Sequence, residues 1–299
     1  MKFAIFGRDS DGLNIGQLKY LVERLLSFKD VTLSFYAPFY KAMAGRLETS
    51  ADISLFSGYA DFPEDTSMLL SLGGDGTFLE SLTIVRERAV PIAGINFGRL
   101  GFLTTAYVAN GENDWIGKLI EGNYRIEERT LLNFSTEGDK DIISSGFYRY
   151  ALNEITIQRS TPVMLDIKIW VNGAKLPGYP ADGILVGSAT GSTAYSLSIG
   201  GPIVTPDSKV LIIAPIAPHN LNVRPIIVPE DSEIIVSYST RSQSAILTVD
   251  NRFAQFPQGE TLKIVRGGYT LKRVSVNNNF MDALHQKLLW GEDKRNIGE

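Results

Sequence analysis

In the first hundred residues of this chain, short apolar runs alternate with segments of helical spacing, and no other feature narrows the possible folds as far. The runs cover residues 3–6, 32–36, 67–72 and 90–95. Between them, residues 15–28 place Leu18, Leu21, Val22, Leu25 and Leu26 on one helical face, and residues 77–88 are long enough for a further helix. Antiparallel strands can be joined by a tight turn, whereas parallel strands need a crossover of a dozen residues or more, usually a helix. The alternation therefore predicts an α/β domain with a mainly parallel sheet.

Near Arg125 the pattern changes. Residues 131–135, 153–158, 165–171, 210–213, 233–238, 245–249 and 262–265 are short runs of alternating or β-branched side chains, separated by Gly, Pro, Asn and Asp. They predict a β-rich, sandwich-like second domain. Residues 280–290 return to helical spacing. The expected division is an α/β domain at 1–110, a β-rich domain at 111–275, and a C-terminal helix within 276–299 that can pack back on the first domain.

With 44% hydrophobic and 21% charged residues, the chain has the balance of a water-soluble protein with a sizeable core. A formal charge of −4 leaves no global positive field to gather nucleic acid or an anionic membrane. A phosphorylated ligand would have to be held by local chemistry. Cysteine is absent, which removes disulfides, thiolate catalysis and thiolate metal sites. His219 and His285 lie far apart, so a histidine-built metal site is not expected, while carboxylates and waters remain able to hold magnesium. The run at residues 3–6 is too short for a signal peptide, and no segment approaches the ~20 apolar residues of a membrane helix. By elimination the expected location is the cytoplasm, with neither nucleic acid nor membrane as partner.

The sharpest local feature is Ser71-Leu72-Gly73-Gly74-Asp75-Gly76-Thr77, which ends one apolar run and opens a helical segment. Glycines at a strand end let the backbone approach a phosphate, and the first turn of the next helix aims unpaired N–H groups and a positive dipole end at that anion. Asp75 stands among those glycines. A carboxylate there repels phosphate unless it serves as a base toward a hydroxyl or as a magnesium ligand. The plain alternative is a helix capped by Asp75 or Thr77. A second stretch, residues 190–198, is rich in small residues and hydroxyls and predicts a loop where a flat ring lies close to the backbone beside Tyr195. Its alternative is a serine-rich turn with a buried tyrosine. Asp182, before a glycine and an apolar run, also fits an ordinary turn aspartate.

Gly73-Gly74-Asp75-Gly76-Thr77 resembles the signature of the kinase superfamily that contains NAD kinases, diacylglycerol and sphingosine kinases and, more distantly, phosphofructokinases. Residues 182–198, followed by Gly200-Gly201-Pro202, are similar to the NAD kinase stretch ending in TGSTAYSLSxGGP. Residues 94–102 (GINFGRLGF), Asn153-Glu154, residues 214–219 and Arg224-Pro225 agree with the same family, so the resemblance runs from about residue 69 to 229. It implies a kinase that moves the γ-phosphoryl group of ATP, with magnesium, to the 2′-hydroxyl of the adenosine ribose of NAD, giving NADP and ADP. Asp75 is implied as the catalytic base. Asp75, Gly76, Phe102, Asn153, Glu154, Asp182, Thr193, Ala194, Tyr195, Ser196, Leu197 and Ser198 are implied as NAD contacts, and Gly73, Gly74, Gly76, Thr77 and Arg99 as the cradle for donor phosphates. A dimer or tetramer is implied as well.

The chain departs from the family pattern in places. Ser188-Ala189 stand where many relatives have Thr-Pro, Tyr179-Pro180-Ala181 where some carry an arginine, and Asp250-Asn251-Arg252 where Asp-Gly-Gln or Asp-Ser-Gln is more usual. Outside the motifs, His219 reads as a hydrogen-bonded structural histidine in an apolar run, and the charged groups at 86–88, 127–129 and 272–273 read as solvated faces. A lipid kinase of the same superfamily is one rival reading, but the sequence shows no basic amphipathic helix to meet a membrane. A non-catalytic NAD sensor is another, although it has no use for a carboxylate beside phosphate. An oxidoreductase would carry G-x-G-x-x-G after the first strand, and this chain does not.

Overall fold

The computed structural model describes residues 1–8, 14–43, 45–47, 53–97, 101–104, 106–107, 114–137, 146–276 and 280–288. The chain divides into two compact units, Met1–Glu127 with Lys272–Glu299, and Glu128–Leu271.

In the first unit β1 (Lys2–Gly7), β2 (Thr32–Tyr36), β3 (Ile53–Phe56), β4 (Met68–Leu72), β5 (Ile92–Asn96) and β6 (Ala106–Tyr107) pair in parallel, in the spatial order β3-β2-β1-β4-β5-β6. Every residue of β4 and β5 is buried, as expected of strands covered on both faces. The crossovers carry α1 (Ile15–Leu26), α2 (Ala37–Ala42) and α3 (Asp75–Val85), and α4 (Trp115–Ile120) follows β6. α1 begins where the Asn14 side chain accepts the Gln17 N–H at 3.3 Å. Its apolar face buries Leu18, Leu21, Val22 and Leu25 in a core shared with Phe3, Ile5, Leu33 and Phe35, while Leu26 is half-buried. The chain moves outward from β1 to β3 and then returns to place β4 on the other side of β1. Strand order thus reverses between β1 and β4, and in open parallel sheets the crevice beyond the strand ends at such a point is where ligands bind.

β7 (Arg125–Glu137) leads into the second unit, which contains β8 (Tyr150–Ala151), β9 (Glu154–Arg159), β10 (Leu165–Val171), β11 (Ala174–Lys175), β12 (Tyr179–Ser188), the short helical turn α5 (Tyr195–Ser198), β13 (Val210–Pro218), β14 (Ile226–Pro229), β15 (Ile234–Ser239), β16 (Ser244–Val249) and β17 (Arg252–Pro257). β18 (Thr261–Ser275) returns to the first unit, which ends with the described helix α6 (Phe280–Leu288). Pairing within the second unit is antiparallel. Burial alternates along β10, where Leu165, Ile167 and Ile169 face the core and Asp166 and Lys168 face out. Ile155, Ile157, Ile184, Val186, Ile213, Val236, Leu247 and Phe256 join them in one apolar core. No described helix is long and apolar enough to cross a membrane.

Three expectations are corrected. Asp182 lies inside β12, not in a turn: residues 179–181 of that strand pair with β10 and residues 183–187 with β9, so Asp182 marks the change of partner. The glycine after it serves close strand approach, because a Cβ on Gly183 would lie 2.4 Å from the Ile157 carbonyl oxygen. His219 is exposed, and its backbone N–H rather than its ring is what bonds to the fold, donating to the Pro180 carbonyl at 2.9 Å. In the charged groups at 127–129 and 272–273, Glu128 is exposed as expected, but the two arginines are not solvated. Arg129 is buried, and Arg273, 4% exposed, donates to the carbonyls of Leu103 (2.9 Å) and Thr104 (3.1 Å) and pairs with Glu127 at 2.6 Å. A guanidinium can be buried where planar donors meet fixed carbonyls and a carboxylate, and the sequence carries no mark of that partner set.

Replacing Arg273 by Met is expected to lower unfolding free energy by about 3 kcal/mol, because two buried carbonyls and a carboxylate lose their donor. Urea denaturation followed by circular dichroism checks this; a midpoint equal to that of the parent chain would show that the buried guanidinium contributes nothing net.

Candidate active site

At the end of β4 the chain turns into α3 through Gly73 and Gly74. Gly73 adopts φ of +149°, donates its N–H to the Ile95 carbonyl at 2.9 Å, and leaves no room for a side chain, since a Cβ would lie 2.5 Å from Thr77 Oγ1. Gly74 is the N-cap, and no side chain caps the helix, so the capping alternative for Asp75 and Thr77 does not hold. The N–H groups of Thr77 and Phe78 both turn back to the Gly74 carbonyl. Those of the residues before them open the helix and have no partner within it. A Cβ placed on Gly74 would meet nothing within 4 Å, so this surface is open. The loop is a set of backbone donors at a positive dipole end, at the sheet's switch point.

Asp75 is the first residue of α3. One carboxylate oxygen accepts the Phe102 N–H at 3.0 Å and the other the Leu103 N–H at 3.1 Å. Gly101 makes this possible: a Cβ there would sit 1.9 Å from Asp75 Oδ1. Thr104 Oγ1 fixes the same turn by accepting the Gly101 N–H at 2.7 Å. The Asp75 side chain is 32% exposed, so a carboxylate of defined orientation keeps a face open to solvent. Two cations stand by. Lys287 on α6 lies 3.5 Å from Asp75 Oδ2 and 4.5 Å from the Phe102 ring centre, and Phe280 of the same helix packs on Phe102. Arg8, just beyond β1, donates to the Gly76 carbonyl at 3.4 Å and pairs with Glu80. Neither cation carries a sequence signal, because each reaches the loop from a remote segment. Arg99 lies outside the described residues.

In the second unit, Asn153 and Glu154 adjoin residues 190–195. Ser188 donates its N–H to the Asn153 carbonyl at 2.8 Å and its hydroxyl to the Leu152 carbonyl at 2.5 Å. A Cβ on Gly191 would lie 2.1 Å from the Asn153 carbonyl oxygen, so that glycine is fixed by close approach. Residues 190–193 form a 3-10 turn and Tyr195–Ser198 a single helical turn, where the sequence predicted a loop. Thr193 bonds back to the Thr190 carbonyl, Ala194 donates its N–H to the Gly191 carbonyl, and Tyr195 packs against the apolar cluster of Leu185, Ile212, Ala214 and Ile216. Ser196 is buried, Leu197 half-buried and Ser198 exposed. Asp182 is engaged elsewhere, by Arg159 at 2.9 Å.

Glu154 is the unusual group of this cluster. Burial first, and the neighbouring Asp250 carboxylate second, push its carboxyl up to about 8, against the Tyr195 N–H, which favours the charged form. Its Oε2 is sealed from solvent and has no hydrogen-bond partner among the described residues. At neutral pH it is a protonated carboxyl able to donate one hydrogen bond and accept others. Asp250 itself was not foreseen as a site residue. Its side chain is wholly buried, and its carboxylate accepts the N–H groups of Leu152 (2.8 Å), Asn153 (2.8 Å) and Glu154 (3.2 Å). Arg252, left without a role by the sequence, donates to the carbonyls of Tyr148 and Tyr150 at 2.6 Å each. Among the described residues no group of three or more His, Asp or Glu side chains gathers to hold a metal.

Comparison with known proteins places the chain in a family. Residues 37–124 match the model of the ATP-NAD kinase N-terminal domain, and residues 152–276 that of the ATP-NAD kinase C-terminal domain. An NAD kinase of Flavobacterium psychrophilum is 36% identical over 301 residues, covering 99% of this chain and 100% of that protein. An NAD kinase of Bacteroides fragilis is 37% identical over 297 residues, with coverage of 99% and 100%. Among solved structures, yeast NADH kinase complexed with NADH superposes with a TM-score of 0.87 at 22% identity, over 98% of this chain and 88% of that one, a likeness of fold. An NAD kinase from Archaeoglobus fulgidus in complex with ATP gives 0.69 at 26% identity, over 97% and 99%. On the full-length identity and the two matched domains, the chain belongs to the NAD kinase family.

Proposed function

We propose that this chain phosphorylates NAD, transferring the γ-phosphoryl group of ATP to the 2′-hydroxyl of the adenosine ribose and releasing NADP and ADP. The observation that carries the reading is the Asp75 carboxylate, held by two backbone amides at the opening of α3. Phosphoryl transfer asks little covalent chemistry of a protein and depends on positioning and charge stabilisation. Asp75 takes the hydroxyl proton as the ribose oxygen bonds to the γ-phosphorus and the bond to the bridging oxygen of ADP breaks. With the Gly73 and Thr77 N–H groups already bonded to the Ile95 and Gly74 carbonyls, the N–H groups of Asp75 and Gly76 at the helix start supply donors for the phosphates of ATP, and Arg8 and Lys287 add positive charge beside the loop.

Magnesium would enter with the nucleotide, since this ion is usually held by one or two carboxylates plus substrate phosphates. Asp75 fits that use: Oδ1 accepts only the Leu103 N–H among the described residues and keeps a lone pair free, while Oδ2 accepts both the Phe102 N–H and Lys287. When bound, the ion neutralises charge on the transferred group. Asn153, Glu154 and Tyr195 hold the dinucleotide within the second unit, with the protonated Glu154 carboxyl as a neutral hydrogen-bonding group for a ribose. Asp182, already paired with Arg159, would have to reach NAD from that ion pair. The same reading places the enzyme in the cytoplasm as a dimer or tetramer, for which the exposed Leu221, Ile226 and Ile227 offer apolar surface.

Asp75→Asn is expected to lower kcat about 10²- to 10⁴-fold with NAD binding retained; near-normal turnover would remove Asp75 from the catalytic role. Gly101→Ala should displace the same carboxylate and cost about 10²-fold in kcat, a displacement of about 1 Å being enough. Parent-like turnover in that variant would show that the two-amide grip is dispensable.

Glu154 gives a pH signature. Its native carboxyl holds a proton up to about pH 8, whereas in the unfolded chain it loses it near the ordinary value of 4.5. Stability from this group is therefore full below about pH 4.5 and is lost as pH rises to about 8, because the unfolded state binds fewer protons. In Glu154→Gln the loss is absent, so Tm curves of the two proteins should diverge from about pH 5 to 8 and run parallel above that. Curves that stay parallel throughout would contradict the assignment.

A further inference from the structure

Leu152, Asn153 and Glu154 point three consecutive backbone N–H groups at one buried carboxylate, that of Asp250. Asp250 occupies the tight turn between β16 and β17 at φ of +51° and returns its own N–H to the Glu154 carbonyl at 3.0 Å. Aspartate takes a positive φ in turns more readily than most residues, but closing a turn requires no buried carboxylate. Arg252 adds weight to this. Its guanidinium lies 3.6 Å from the Asp250 carboxylate while its fork is spent on the Tyr148 and Tyr150 carbonyls, so it secures the strand leading into residues 152–154 as well as the charge that grips them. From the other side Ser188 and Gly191 press on the carbonyls of Leu152 and Asn153. The segment is thus fixed through its N–H groups by one element and through its carbonyls by another. Such bracing exceeds what a strand start needs, and it falls on the residues assigned to hold the dinucleotide.

We infer that Asp250 is a positioning residue for NAD recognition: its carboxylate fixes the backbone of residues 152–154, so that the Glu154 carboxyl and the Asn153 side chain meet the dinucleotide in one orientation. Adjacent residues at the start of a strand ordinarily send their side chains to opposite faces. A backbone bent around a single acceptor is a means of bringing both to one ligand. The inference rests on NAD being the acceptor, and it adds a residue that never touches the substrate.

The test compares Asp250→Asn and Asp250→Glu with the parent chain, measuring KM for NAD and for ATP, and NAD dissociation by calorimetry without ATP. Expected is a rise of about tenfold or more in the NAD constants with the ATP KM within about twofold, since losing charged-acceptor hydrogen bonds costs well over a factor of ten. Should Asp250→Asn fail to fold, Asp250→Glu, which keeps the charge, carries the same measurement. A purely structural role would weaken ATP and NAD alike, and that outcome overturns the inference. So does a folded variant that binds NAD within about twofold of the parent. The decisive arm adds Glu154→Gln: if Asp250 acts in part through Glu154, Asp250→Glu should cost clearly less in NAD affinity on that background than in the parent chain, and full additivity would contradict it. Failure of the parent chain to phosphorylate NAD would instead defeat the functional reading itself, and this inference with it.

Discussion

The candidate site depends on a carboxylate gripped by backbone. Asp75 opens a helix whose first N–H groups attract anions, and a free carboxylate there would settle on its own helix as a cap. It does not, because Phe102 and Leu103 offer amides from the neighbouring turn and Gly101 leaves the space to reach them. The N–H groups at the start of α3 are thereby left free of that carboxylate, and the acid is held beside them. Fixed dipoles of this kind need no reorganisation as charge develops, the condition under which electrostatic stabilisation is strongest. The parallel sheet supplies the placement, since β4 ends at the point where strand order reverses.

An acidic chain can meet polyanions only through local chemistry, and the two units carry two devices suited to it. In the first unit, backbone amides, a helix end and the cations Arg8 and Lys287 surround the loop. The second unit uses the reverse device: burial and a neighbouring carboxylate keep Glu154 neutral, so it can lie near a dinucleotide without repelling it. Both arise from where the backbone places a group and not from net charge.

Residues 73–77 were legible in the sequence as a strand end, glycines and a helix start because those features are contiguous, whereas residues 190–198 read as a loop and fold as a 3-10 turn and a single helical turn. The parallel sheet and the β-rich unit were legible because burial period is local. What escaped was every role set by a partner far along the chain. Asp250 meets Asn153 across 97 residues, and Lys287 meets Asp75 across 212. Arg273 read as a solvated charge for the same reason, its partners being carbonyls supplied by a distant turn. Asp182 looked like a turn residue because a strand that changes partner needs the same Asp-Gly pair that a turn does.

The most direct measurement of the central claim is product formation by the purified chain supplied with magnesium, ATP and NAD, with diacylglycerol and sphingosine offered in parallel. NADP followed by enzymatic cycling should accumulate in step with ADP, and neither lipid should be phosphorylated. NAD recovered unchanged, or phosphate transferred to a lipid, would contradict it.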